Sequence, residues 1–152
     1  MLALGTAALL TAILTAQAPT QTKDPRFPEG PGKAELFKLC SECHGADSVV
    51  GQFQTRDEWS TTLDKMAANG AQGSDEEWNL ILDYLDKNFS LILVNKADAQ
   101  QLANTLDVPR AMAESIVTYR GDHGRFASIE DLKKVSGIDA AKIEARKDRF
   151  VF

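Results

Sequence analysis

Apolar positions along the chain fall into two stretches with helical spacing, joined by a short apolar run and preceded by two segments without such spacing. Met1 to Ala18 is dominated by Leu, Ala, Ile and Thr and carries no charged side chain. Residues 19–32 carry Pro19, Pro25, Pro28, Gly30, Pro31 and Gly32, a density of proline and glycine that predicts an extended tether rather than an element. Lys33 to Leu39 then reads as a short helix. Trp59, Leu63 and Met66 recur at i, i+4 and i+7, one helical face, and Asn69-Gly70 is a common helix stop. Ser74 with Glu77 forms a capping-box signature ahead of a helix that places Trp78, Ile81, Leu82 and Leu85 on one side. Ser90 to Val94 is short and apolar, so the two halves are expected to pack together without a flexible linker. In the second stretch, Leu102 and Leu106 precede the turn Asp107-Val108-Pro109, and a helix with Ala113, Ile116 and Val117 follows. Gly121 to Gly124 breaks it, Ile129 and Leu132 come next, and Val135-Ser136-Gly137-Ile138 leads into a final helix through Ile143 to Phe150. Two helix pairs, each with a turn of a few residues, are thus repeated in one domain. The expected fold class is all-α.

The first run ends in Ala16-Gln17-Ala18, a small-x-small site, and resembles an export signal. No Lys or Arg precedes it and Pro19 follows directly, so an uncleaved N-terminal anchor is the alternative. Both imply a periplasmic or otherwise exported location, membrane-tethered in the anchor case, with membrane contact through this segment alone. The expected division is a signal peptide or anchor over 1–18, a tether over 19–32, one domain over 33–90 and a second over 91–152.

Composition adds one constraint. With 43% hydrophobic and 26% charged residues the chain is globular, and 17 Lys+Arg against 22 Asp+Glu leave a net charge of -5. Residues 95–152 hold 10 basic and 9 acidic side chains, so the acidity belongs to the first half. A near-neutral second half argues against generic nucleic-acid binding, although Lys133, Lys134, Lys142, Arg146, Lys147 and Arg149 could share a face.

The chemistry concentrates in Cys40-Ser41-Glu42-Cys43-His44, the C-x-x-C-H attachment string for c-type haem. Two thiols one helical turn apart can each add to a porphyrin vinyl group, and the adjacent imidazole then serves as an axial iron ligand. A thioredoxin-like pair would need a βαβ context, a zinc site would need further ligands beyond His123, and a disulfide would leave His44 without a role. No catalytic triad, phosphate loop or other metal cluster is evident, so the chain is not expected to be an enzyme.

Residues 33–89 resemble a small monohaem cytochrome c of bacterial electron-transfer modules. The shared strings are C-x-x-C-H, R-x-x-W-x-x-x-L-x-x-M-x-x-x-G from Arg56 to Gly70, and a last helix with Tyr84-Leu85 and Asn88-Phe89. The resemblance implies haem c bound through Cys40 and Cys43, with His44 and Met66 as axial ligands. It also implies a last helix that crosses the one before the haem motif and brings Tyr84 or Leu85 against Phe37. Met112, His123 or an open position are alternatives for the sixth ligand. Arg56 and Trp59 are candidate propionate contacts, the former by charge and the latter through its indole N–H, with a surface ion pair and a core tryptophan as the competing readings.

Residues 92–148 resemble the tandem helix-hairpin-helix domain of competence-type DNA-binding proteins. The strings are Val94-Asn95-x-Ala97, Ala113-x-x-Ile116-x-x-Tyr119-Arg120, Gly124-x-Phe126-x-Ser128-Ile129-x-Asp131-Leu132 and Val135-x-Gly137-Ile138. That resemblance implies hairpins whose backbone N–H groups meet DNA phosphates, here at Gly137, Ile138 and Lys142. The sequence departs from the pattern in the first hairpin, where Asp107-Val108-Pro109 has no glycine, and in the second, where Asp139 replaces one. The leading expectation is an exported one-electron carrier that meets redox partner proteins, with the second domain as a docking or structural module. A haem-bearing DNA-binding protein and a haem-based sensor are the alternatives.

Overall fold

The computed structural model describes residues 24–152; the expected signal segment and residues 19–23 lie outside the described residues. Among these residues the chain is mostly helical, as expected, with seven α-helices and a two-stranded parallel pairing. The first half contains α1 (Lys33–Cys40), a 3₁₀ turn (Ala46–Val49), α2 (Arg56–Ala68) and α3 (Asp75–Phe89). The second half contains α4 (Ala99–Leu106), α5 (Arg110–His123), α6 (Ile129–Leu132) and α7 (Ala140–Glu144).

Local chemistry sets most of these boundaries. Thr55 and Glu58 form a capping box at α2, Ser74 and Glu77 form one at α3, and Asp98 and Gln101 form one at α4, each satisfying orphan N–H groups of the first turn. Gly70, at φ 105°, turns the chain out of α2. Helix α5 runs through Gly121 and stops at Gly124, at φ 88°, so only the second glycine acts as the breaker.

Each half has its own core. Leu36 and Leu39 of α1, Trp59 and Leu63 of α2, and Ile81, Tyr84, Leu85 and Phe89 of α3 build the first, with Phe37 packed at its edge. Ile92, Val94, Leu102, Leu106, Ala113, Ile116, Leu132 and Ile143 carry the second. Gly32 makes the α1–α3 approach: a Cβ there would collide with the Leu80 carbonyl and the Tyr84 Cβ, and its φ of 87° is left-handed.

Two expectations about the ends are corrected. Residues 24–32 are not a free tether: Phe27 is 1% exposed in the first core, 4.9 Å from the Phe37 ring, and Tyr84 donates to the Pro28 carbonyl at 2.8 Å. The prolines prevent regular structure but do not prevent packing. The final helix also does not reach Phe150. It ends at Glu144, and the chain passes through a 3₁₀ turn (Lys147–Arg149) to β2 (Phe150–Val151), which pairs with β1 (Ile92–Leu93). The run after Phe89 therefore becomes a strand of the second half, at its seam with the first, and the backbone groups of buried Ile92 find partners in β2. Arg149 locks the same seam, donating to the carbonyls of Ser90 at 2.7 Å and Lys87 at 3.0 Å.

Candidate functional site

Cys40 closes α1, and Cys43 and His44 follow in the turn that the His44 N–H to Cys40 carbonyl bond holds at 3.3 Å. Met66 lies in the last turn of α2, and the loop from Asn69 through Ala71 leads on toward α3. These elements enclose a cleft of about 240 Å³ lined by Cys40, Cys43, His44 and Met66, with Leu39, Leu63, Asn69, Ala71 and Trp78. Met66, distant in sequence from the C-x-x-C-H string, thus shares one largely apolar cleft with Cys40, Cys43 and His44. Gly73 permits its tightness: a Cβ there would sit 2.5 Å from Leu39 Cδ2 and 3.2 Å from Trp78 Nε1.

The donors are suited to a haem. The two thiols are free, with Cys43 exposed, and burial pushes the Cys40 thiol pKa up. His44 Nδ1 lies 3.2 Å from the Gly45 carbonyl and 3.3 Å from Ser48 Oγ. With Nδ1–H donating to the carbonyl, the Nε2 lone pair is left for a metal, the usual way a neighbouring acceptor fixes a ligand tautomer. Met66 is half-buried and offers a thioether from the facing helix. Among the described residues no group of three or more His, Cys, Asp or Glu side chains is arranged to hold a metal ion by itself.

Arg56 and Trp59 are placed elsewhere. Trp59 is buried and its Nε1–H donates to the Phe89 carbonyl at 3.0 Å, which makes it the core tryptophan of the two readings. Arg56 pairs with Asp83 at 2.7 Å and with Asp86 at 3.3 Å. Neither lines the cleft. Periodicity placed Trp59 on the Met66 face but could not show where its N–H would find an acceptor.

In the second half, the two hairpins lie side by side. Asp107 ends α4 at φ 55° and Gly137 precedes α7 at φ 81°, so both occupy the left-handed position at corresponding turns. Lys142 Nζ donates to the Asp107 carbonyl at 2.8 Å and ties one hairpin to the other. The expected phosphate-facing groups are already engaged. The Ile138 N–H donates to the Val135 carbonyl at 3.2 Å, and the N–H groups of Ala141 and Lys142 donate to Asp139 Oδ1 at 2.9 and 3.2 Å. Asp139 thus caps α7 from the place where a phosphate would sit. The carboxylate of Asp107, held below its usual pKa chiefly by a hydrogen bond from Lys87, adds negative charge at the first turn.

Residues 87–151 match the helix-hairpin-helix motif family. The chain is 40% identical over 58 residues to ComE operon protein 1 of Bacillus subtilis (strain 168), covering 38% of this chain and 28% of that protein. It is 45% identical over 67 residues to endonuclease/exonuclease/phosphatase family domain-containing protein 1 of Homo sapiens, which covers 40% of this chain and 12% of that protein. An uncharacterized protein of Haemophilus influenzae is 38% identical over 60 residues, 54% of its length. The chain therefore spans well under two thirds of these relatives. No solved structure matches the chain. With two helix pairs, paired turns at Asp107 and Gly137 and the family match over the same stretch, residues 87–151 form a helix-hairpin-helix domain.

Proposed function

We propose that the first half is a monohaem cytochrome c domain and that the protein is an exported one-electron carrier. The observation that carries this reading is the single cleft shared by Cys40, Cys43, His44 and Met66. Each thiol would add its S–H across one vinyl group to form a thioether, while His44 Nε2 and the Met66 sulfur would hold the iron from α1 and α2 sides. The bound group would supply a reversible one-electron couple. Leu39, Leu63 and Trp78 would exclude water from it, and a thioether ligand raises the potential relative to a second imidazole. The helix-hairpin-helix domain, joined to the first half through Arg149 and the Lys87–Asp107 pair, then serves as a docking or structural module for redox partner proteins.

The test is expression of the chain with haem-maturation machinery, followed by absorption spectra and denaturing electrophoresis. Haem that stays with the denatured polypeptide and is lost in Cys40→Ala/Cys43→Ala supports the proposal. A polypeptide recovered without covalent haem sinks it.

A second reading is favoured by the family match and by the relatives: a haem-bearing protein that binds the DNA backbone through its paired hairpins. Helix-hairpin-helix turns suit phosphate contact, whereas Asp107 and Asp139 oppose it here. Duplex binding that survives moderate salt and weakens on charge reversal of Lys133 and Lys134 would favour this reading.

A further inference from the structure

A second cavity of about 440 Å³ opens at the seam between the halves and shares no residue with the haem cleft. Val50, Phe53 and Phe89 line it from the first half, and Arg146, Asp148 and Arg149 line it from the second, with Arg26 also in its lining. Three arginines and one aspartate thus line it. Arg26 is committed to Asp24 at 2.6 Å and Asp47 at 2.8 Å. The other two are not balanced in this way: among the described residues neither Arg146 nor Arg149 has a carboxylate within 4 Å.

Arg149 is 6% exposed and gives one N–H from each nitrogen to the carbonyls of Ser90, Lys87 and Asp86, which leaves one N–H on each Nη uncommitted. Arg146 reaches only the Lys142 carbonyl, at 3.3 Å through Nη1, and its Nε–H is fully buried without an acceptor. A buried cation and an orphaned charged donor are each costly when left unmatched, and buried charges in proteins are normally paired. Burial, and next the neighbouring charge of Arg146, lower the Arg149 pKa to about 10. The Nε edge of a guanidinium is half of the planar fork that binds an oxyanion with two parallel hydrogen bonds.

We propose that this seam cavity is a binding site for a phosphate-type oxyanion, held by Arg146 and Arg149 and bridging the two halves. The anion has two sources with the same chemistry, free phosphate and a phosphodiester of nucleic acid. The site does not depend on the haem assignment.

The experiment titrates inorganic phosphate into the full chain at constant ionic strength, reading heat of binding and unfolding temperature against chloride. Saturable one-to-one binding with a raised unfolding temperature is expected, and Arg146→Gln should weaken it by about tenfold, the loss of one charged hydrogen bond. Asp148→Asn keeps both guanidiniums and should tighten binding. Phosphate that acts no differently from chloride overturns the proposal, as does wild-type affinity in Arg146→Gln. Should Arg146→Gln fail to fold, an affinity unchanged by Asp148→Asn overturns it instead. A short duplex then separates the sources: displacement of phosphate in an Arg146-dependent manner identifies the phosphodiester, and no displacement identifies the free anion.

Discussion

Lys87 Nζ lies 2.9 Å from Asp107 Oδ1, so the last turn of α3 in the first half holds the first hairpin of the second. Asp107 also occupies a left-handed backbone position, at φ 55°, where glycine carries no Cβ penalty. Asp107→Gly removes about 1 kcal/mol of backbone strain and a half-exposed ion pair worth about 0–1 kcal/mol, so stability should change little. It also removes a negative charge from the turn. If the hairpins meet DNA phosphates, duplex affinity measured by fluorescence anisotropy should rise; unchanged affinity would argue for the docking role.

Met66→Ala should convert a six-coordinate low-spin haem spectrum to a five-coordinate or water-bound one and lower the midpoint potential, because the thioether is replaced by a ligand that favours oxidised iron. Covalent attachment through Cys40 and Cys43 should persist. A wild-type spectrum in this variant would pass the sixth position to another residue. Fast carbon monoxide binding by the unmodified protein would instead mark an open site and a sensor.

Trp59→Phe separates a core role from a propionate contact. The indole N–H satisfies the buried Phe89 carbonyl, and its loss should cost about 1–3 kcal/mol in chemical denaturation. The midpoint potential should stay at the wild-type value, since Trp59 does not line the cleft. A shift in potential without loss of stability would restore the propionate role.

Cys40, Cys43 and His44 could be singled out in the sequence because the C-x-x-C-H pattern is local. Met66 was singled out through the resemblance to small monohaem cytochromes c, since helical periodicity alone places it only on the Trp59 and Leu63 face. The helix pairs around Asp107 and Gly137 followed from turn residues. Arg56, Trp59 and the seam could not be read in this way, since the contacts of Arg56 with Asp83 and Asp86, of Trp59 with Phe89, and of Arg149 with Ser90 and Lys87 span separations that no local pattern encodes. Phe27 was hidden for another reason: surrounding prolines predicted irregular structure correctly, and irregular structure was equated with exposure.

Glu77 joins a capping box to a cross-element ion pair with Lys38, and these lower its pKa to about 2, Lys38 being the larger cause. A depressed acid contributes stability that is present above its unfolded pKa, 4.5, and is lost as pH falls through the folded value. Stability measured by denaturant should therefore decline between about pH 4.5 and pH 2 more steeply in the wild type than in Glu77→Gln. At neutral pH the variant should be the weaker of the two, by a modest amount because the pair is solvated.

Removing residues 24–32 tests whether they belong to the first domain. Lys33 is 3% exposed, and its Nζ donates to the Phe27 carbonyl and Glu29 Oε1, each at 2.8 Å. A chain starting at Lys33 loses both acceptors and leaves an ammonium without the partners that offset its burial. It also loses the Phe27 ring from the core, a deletion of the class that costs about 3–5 kcal/mol, and the acceptor of the Tyr84 hydroxyl. Denaturant unfolding of the 33–152 and 24–152 chains should show the shorter one destabilised by at least the cost of Phe27→Ala in the longer. Equal stability would mean that the segment is a tether after all and that Lys33 finds water instead.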